Sequence, residues 1–215
     1  MKLYTYYRSS AAFRVRIALE LKGLAWTAVP VHLTRDGGEQ RKAEYAARNP
    51  QQLVPALEDD GAMVTQSLAI LEYLEETHPQ PPLLPADPAG RARVRAIALA
   101  IACDIHPLNN LSVLRYLGST LGVDEERRNV WYRHWIDRGF AAIEQLIERD
   151  RPAGAFCHGE KPTIADCLLV PQVFNAHRYQ MSLDPYPRIR AVHEACMRLD
   201  AFRRAAPEAQ ADAET

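Results

Sequence analysis

The sequence predicts an α/β N-terminal domain followed by an all-α C-terminal domain. Three observations carry this. The first eighty residues alternate short β-prone runs with helical patterns, the remainder shows helical periodicity without a convincing strand, and a proline-dense stretch lies between them. That stretch, His78-Pro-Gln-Pro-Pro-Leu-Leu-Pro-Ala-Asp-Pro88, carries five prolines and reads as an extended connection. The expected boundaries are a first domain over 1–80, a Pro-rich linker over 81–88 and a helical domain over 89–215.

Lys2–Tyr7 is β-prone. It gives way at Ser9-Ser10 to Phe13, Ile17 and Leu21, spaced i, i+4, i+8 on one helical face, and Gly23 ends that helix as a C′ residue. Trp26–Leu33 reads as a second strand and Glu39–Arg48 as a polar helix ended by Asn49-Pro50. Leu53–Leu57 and Ala62–Thr65 flank Asp59-Asp60-Gly61, so they read as a hairpin. A helix over about Ser67–Thr77 closes the half. The order β-α-β-α-β-β-α implies a parallel core pair with an antiparallel edge. Beyond the linker, amphipathic helices are expected at about Pro88–Leu117, Asp124–Arg149, Thr163–Tyr179 and Pro187–Leu199. Thr163-Ile-Ala-Asp166 reads as a capping box, and the Ala/Glu-rich segment after Ala206 as a frayed tail.

Composition narrows function. Hydrophobic residues make up 47% and charged residues 25%, with 26 basic against 27 acidic side chains. That balance argues against nucleic acid, which calls for a clustered basic surplus. No window approaches the roughly 18 apolar residues of a membrane span, and the first residues lack the apolar run of a signal peptide. The expectation is a soluble, cytoplasmic protein without nucleic-acid or membrane partners. The four cysteines, Cys103, Cys157, Cys167 and Cys196, form no CxxC pair, and neither they nor the seven histidines show zinc spacing, so no metal site is expected.

The motifs are more specific. Arg8-Ser-Ser-Ala-Ala-Phe-Arg-Val-Arg-Ile-Ala-Leu19 resembles the opening helix of zeta-class glutathione transferases, the maleylacetoacetate isomerases. Asn49-Pro-Gln-Gln-Leu-Val-Pro-Ala-Leu57 and Gln66-Ser-Leu-Ala-Ile-Leu-Glu-Tyr-Leu74 resemble that family's glutathione-binding segments. His106-Pro-Leu-Asn-Asn-Leu-Ser-Val-Leu114 and Val170-Pro-Gln-Val-Phe-Asn-Ala-His-Arg178 are similar to its second-domain signatures. The resemblance runs through nearly the whole chain. It implies a thioredoxin-like first domain, the cytosolic glutathione transferase fold, glutathione as cofactor and a homodimer.

It also implies roles. The family's thiolate-stabilising serine falls on Ser9, with Ser10 and Arg8 beside it; from local residues alone, Ser9 or Ser10 reads first as an N-cap, and the resemblance reverses that order. Gln66 and Ser67 hold the γ-glutamyl end of glutathione at a helix start, where unpaired N–H groups favour an anion. Gln52 belongs to the same binding set. Val54, before a Pro55 that is cis in such folds, pairs its main chain with the cysteinyl part. His106 and Asn110 approach the glycyl end, although a lone histidine in an apolar helix is more often a packing residue. Arg8 and Arg178 bind the carboxylates of a small dicarboxylic keto-acid.

The implied activity is glutathione-dependent cis–trans isomerisation of maleylacetoacetate, in tyrosine and phenylalanine degradation. Maleylpyruvate isomerase and a general glutathione S-transferase are the near alternatives. Maleylpyruvate isomerases carry additional arginines just after Asn110, where this chain has Leu111-Ser112. A non-catalytic binding protein of the same fold would have a damaged thiol site, yet Ser9, Gln66 and Ser67 are all present. A dithiol oxidoreductase is disfavoured because no cysteine lies in residues 1–102. Where the family carries Ser-Ser-Cys, this chain has Ser9-Ser10-Ala11, which bears on cysteine-dependent side activities rather than on the isomerisation.

Overall fold

The computed structural model describes residues 1–149 and 154–214, which fall into two compact units, Met1–Leu83 with Met197–Thr215, and Leu84–Cys196.

The first unit is built on a four-stranded sheet in the order β2-β1-β3-β4, with β1 at Lys2–Thr5, β2 at Thr27–Pro30, β3 at Ala56–Asp59 and β4 at Ala62–Thr65. Strands β1 and β2 are parallel, and β3 and β4 are antiparallel to their neighbours, as the element order implied. The hairpin turns on Asp60 and Gly61, both at positive φ (46° and 84°), where glycine carries no steric penalty.

Helix α1 (Ser10–Leu21) links the parallel pair, and every residue from Ser10 to Leu19 is buried, well beyond the single face expected. It stops at Gly23 (φ 64°) in a Schellman arrangement: Leu24 N–H donates to Leu19 O at 3.0 Å and Gly23 N–H to Glu20 O at 3.2 Å. The helix expected over Glu39–Arg48 is instead a 3-10 turn (Glu39–Arg41) and a short α2 (Ala43–Arg48), because Lys42 between them is extended (ψ 143°). Helix α3 covers Ser67–Thr77 as anticipated. Leu3, Phe13, Ile17, Leu57, Ile70, Leu71 and Leu74 form the apolar interior between sheet and helices.

The start of the Pro-rich segment belongs to this unit. Lys22 Nζ, buried at the end of α1, pairs with Glu75 Oε2 at 2.8 Å and donates to the carbonyls of His78 and Pro81, while Leu83 N–H donates to the same Glu75 oxygen at 2.9 Å.

The second unit is helical: α4 (Pro88–Leu99), α5 (Leu111–Ser119), α6 (Glu125–Glu148), α7 (Ile164–Arg178) and α8 (Pro187–Met197), the last reaching its boundary. The stretch expected as one helix over 88–117 is interrupted by a π-helical turn at Ala100–Ile105, and Pro107, which has no N–H to donate, lies in the gap before α5. Gly139 of α6 faces Ile105 so closely that a Cβ there would sit 2.3 Å from Ile105 Cδ1. Helix α7 is not amphipathic: it is buried on nearly every side from Ile164 to Ala176. Its start is the expected capping box, with Asp166 Oδ2 accepting from Thr163 N–H at 2.7 Å.

The carboxyl-terminal segment departs from expectation. A further helix, α9 (Asp200–Ala205), packs on α1 in the first unit. The tail beyond Ala206 is docked rather than frayed: Asp212 Oδ2 accepts from Tyr7 N–H at 3.0 Å, and Ala213 packs on the cluster of Tyr4, Tyr6, Tyr7 and Val54. Composition marked it as polar, whereas two carboxylates and one alanine find specific partners there.

Candidate active site

Strand register gathers the first-unit site residues. The Tyr4↔Ala56 and Ala56↔Thr65 pairings bring the end of β1, the start of β3 and the end of β4 to one end of the sheet. From that end emerge the turn to Arg8-Ser9-Ser10, the Val54-Pro55 segment and the Gln66-Ser67 helix start. Each was expected separately, and the pairing makes them neighbours.

Ser9 is the N-cap of α1, with φ −70° and ψ 113°, and its Oγ accepts from Ala12 N–H at 3.2 Å. The cap and donor roles are compatible. A hydroxyl carries one donor and two acceptor sites, so capping uses a lone pair and leaves the proton to donate elsewhere. Ser10 is buried in the first helical position, and Arg8 is exposed just before the cap. No acidic side chain stands in the first turn of α1 to offset its positive end.

Gln66 rather than Ser67 occupies the N-cap position of α3, at φ 70°, and its side chain makes no capping bond. The first turn of α3 likewise holds no acidic residue, and among the described residues no N-cap side chain accepts from its leading N–H groups. Ser67 is buried, and its Oγ accepts from Arg14 Nη1 at 3.1 Å. Arg14 was not singled out from sequence. It is 2% exposed, and it ties the second turn of α1 to the start of α3. The available signal was an arginine flanked by Phe13 and Val15 on a helix that proves buried all round.

Gln66 Nε2 donates to Gln51 Oε1 at 2.8 Å, joining α3 to the Asn49–Gln52 turn. In that turn Asn49 Oδ1 accepts from Gln51 N–H at 3.1 Å and Asn49 Nδ2 donates to Leu53 O at 2.8 Å. Gln52 is exposed at φ 56°. The Val54–Pro55 bond is cis. Among the described residues neither the amide nor the carbonyl of Val54 is hydrogen-bonded, although the Leu53 carbonyl beside it also accepts from Tyr45 Oη at 2.6 Å. An unpaired main-chain donor and acceptor flanked by two helix N-termini suits an extended, anionic, peptide-like ligand.

The remaining residues lie in the second unit. His106 is half-buried after the π-helical turn. Asn110 is the N-cap of α5, its Oδ1 accepting from both the N–H and the Oγ of Ser112 at 2.9 Å. Arg178 is exposed in the last turn of α7, its guanidinium 6.0 Å from the ring of Tyr179. That ring stacks on Tyr132 with centroids 3.6 Å apart, and the Tyr132 carbonyl accepts from Asn109 Nδ2 at 3.1 Å. Tyr132 therefore connects the neighbours of Asn110 and Arg178 within this unit. Burial pushes its phenol up.

Residues 3–82 match the glutathione S-transferase N-terminal domain and residues 127–195 the glutathione S-transferase C-terminal domain. The chain belongs to the glutathione S-transferase family. The chain is 52% identical over 213 residues to a maleylacetoacetate isomerase of Pseudomonas aeruginosa, covering 99% of this chain and 98% of the relative. A solved structure described as holo maleylpyruvate isomerase, a bacterial glutathione S-transferase of the zeta class, is 53% identical with a TM-score of 0.95, covering 100% of both chains. A maleylacetoacetate isomerase of Methylobacterium extorquens, solved with bound malonate and glutathione, is 41% identical with the same TM-score of 0.95 and the same full coverage.

Cysteine placement gives a first testable outcome. Cys103 is exposed, whereas Cys157, Cys167 and Cys196 are buried, and burial pushes the thiols of Cys157 and Cys196 well up. Iodoacetamide on the native protein should modify Cys103 alone, read by peptide mass spectrometry, and modification of any of the other three would contradict this burial. With Ala11 beside Ser9-Ser10, the motif itself offers no alkylatable thiol.

Proposed function

We propose that this glutathione S-transferase is a glutathione-dependent cis–trans isomerase acting on maleylacetoacetate. The observation that supports this most is the convergence at one sheet end of a capping serine with a donor proton, an unpaired Val54 main chain and an uncapped helix start. When bound, glutathione supplies a thiolate whose reversible addition to the substrate's cis double bond turns it into a single bond that can rotate.

The chain's own residues have the remaining tasks. Ser9 Oγ donates its proton to the sulfur, and the α1 N-terminus favours negative charge there, so the thiol ionises at lower pH. The α3 N-terminus and Ser67, held by Arg14, receive the γ-glutamyl carboxylate, with Gln66 and Gln52 bordering it. Val54 pairs with the cysteinyl backbone in the manner of an added strand. Arg8 and Arg178 bind the carboxylates of the dicarboxylic substrate, and His106 and Asn110 approach the glycyl end. The malonate bound alongside glutathione in the Methylobacterium extorquens relative is a small dicarboxylate of this kind. By family likeness the enzyme is a cytoplasmic homodimer with a 1–80 glutathione-binding domain, an 81–88 linker and an 89–215 substrate domain, of which the segment from Met197 onward returns to the first compact unit. Among the described residues no helix is long and apolar enough to cross a membrane.

A second reading, maleylpyruvate isomerase, draws on the 53% identical zeta-class structure. Leu111-Ser112, where the resemblance implies arginines for a maleylpyruvate isomerase, favours maleylacetoacetate. Measuring kcat/KM for both substrates with glutathione decides between them: preference for maleylacetoacetate is expected, and turnover of neither would sink the isomerase reading.

Ser67→Ala should weaken glutathione roughly ten- to hundred-fold by calorimetry, the loss of about 1.5–3 kcal/mol for a hydrogen bond to a charged group. Unchanged affinity would remove Ser67 from the binding site.

A further inference from the structure

The turn between β1 and α1 carries the candidate thiolate-stabilising serine, yet Tyr6–Ser9 belongs to neither strand nor helix. Its own hydrogen bonding is thin: Ser9 N–H donates to Tyr6 O at 3.0 Å. Ser9 O and Oγ also accept from Phe13 N–H at 2.9 Å and Ala12 N–H at 3.2 Å at the start of α1, while the Tyr6–Tyr7 end is fixed by a buried arginine and by the carboxyl-terminal tail.

Arg16, fully buried in α1, spreads its guanidinium beneath the turn. Nη2 donates to Tyr7 O at 3.0 Å, Nη1 to Thr5 Oγ1 at 3.1 Å and to Tyr6 O at 3.4 Å, and Nε to Ala205 O at 2.9 Å. On the other side of the same residue, Tyr7 N–H donates to Asp212 Oδ2 at 3.0 Å. Both main-chain groups of Tyr7 are thus held, so neither adjoining peptide plane can rotate independently, and Ser9 is two residues on. The tail also brings charge. Burial pulls Arg16 down to about 10, while Asp212 and Glu208, both beyond Ala205, act in the opposite direction as its counter-charges. A buried guanidinium needs such partners, because an uncompensated charge in the interior is strongly unfavourable.

The tail is clamped at its far end as well. Glu214 Oε1 lies 2.8 Å from His32 Nε2, and His32 Nδ1 accepts from Arg35 N–H at 2.8 Å. With Nδ1 accepting from Arg35 N–H, Nε2 is the ring nitrogen left to donate to Glu214. His32 also meets Tyr6 edge to face, with ring centroids 4.8 Å apart.

From this geometry we infer that Asp212 on the carboxyl-terminal tail, together with Arg16, is a positioning residue that holds the Tyr7 peptide so that Ser9 Oγ is aimed at the reacting sulfur. The catalytic consequence rests on the glutathione-dependent isomerase reading; the mechanical one does not. The tail acts through the main chain and touches no substrate.

Two readouts on full-length Asp212→Ala separate these levels. Amide hydrogen exchange without ligand should quicken at Tyr7, Arg8 and Ser9 while the β3–β4 hairpin is unchanged. In the glutathione complex, the near-ultraviolet thiolate absorbance should titrate at higher pH, with kcat lowered roughly three- to ten-fold and KM for the substrate little changed. Asp212→Asn keeps an oxygen acceptor for the Tyr7 amide and should recover most of both effects, which a general loosening of the fold would not produce. Parent-like exchange at Tyr7–Ser9 in Asp212→Ala, or a parent-like thiolate titration, overturns the inference. A parent protein with no thiolate signal would instead refute the functional reading, and the exchange measurement would still decide whether the tail braces the turn.

Discussion

Replacing Ser9 with alanine should lower turnover roughly ten- to hundred-fold while glutathione still binds. The hydroxyl has one task in this structure and a second in the proposed function, and the variant removes both. Its lone pair caps α1 through Ala12 N–H at 3.2 Å, and losing such a cap costs about 1 kcal/mol, or roughly 2–4 °C in the unfolding midpoint of a chain this size. Its proton is the one assigned to the glutathione sulfur, and a hydrogen bond to a charged group contributes about 1.5–3 kcal/mol. The sign on pH follows. Without the donor the bound thiolate is less favoured, so the thiol ionises at higher pH and the acidic limb of the kcat profile moves up. Ser9→Asp separates the tasks, because a carboxylate caps a helix well but repels a thiolate. It should restore the melting temperature and depress turnover further. If Ser9→Asp recovers turnover along with stability, Ser9 is a cap alone and another donor activates the sulfur.

Much of this site was legible because its residues are punctuation as well as chemistry. Ser9-Ser10 and Gly23 mark the two ends of α1, and Ser67 and His78-Pro79 those of α3, so both helix starts could be placed to within about a residue. The hairpin was legible from Asp60-Gly61, which both adopt the left-handed conformation such a turn requires. What periodicity could not supply was burial of charge. Arg14 and Arg16 read as polar positions on an amphipathic helix, yet they are 2% and 0% exposed. One steadies Ser67 and the other the turn before Ser9. The same limit hid the tail. Asp212 and Glu214 lie in a low-complexity stretch whose composition reads as solvated, and their partners Tyr7 and His32 are nearly two hundred residues earlier in the chain. Pairing across such a separation has no periodic signature. It becomes visible only when the fold brings the two ends together.

The same burial of charge sets the largest expected effect on stability, at Asp166. Its carboxylate is fully buried and accepts from four donors: Cys157 N–H at 2.8 Å and the more distant Cys196 thiol on Oδ1, with Thr163 N–H at 2.7 Å and Thr163 Oγ at 2.8 Å on Oδ2. Burial pushes the carboxyl up, and the bonds from Cys157 and Thr163 pull it back down. Truncation strands both buried backbone donors and removes the Asp166 half of the capping box of α7, the most enclosed helix of the second unit. Asp166→Ala should therefore cost about 3 kcal/mol or more, lowering the melting temperature by roughly 6–12 °C. Asp166→Asn is the sharper variant. Each carboxylate oxygen faces a backbone N–H, so either orientation of an asparagine amide points its own NH2 at a donor. Its loss should approach that of the alanine variant despite near-identical shape. An Asp166→Asn protein within 1 °C of the parent would mean that one of the two acceptor positions carries no weight, and that α7 is held by its apolar surroundings rather than by its cap.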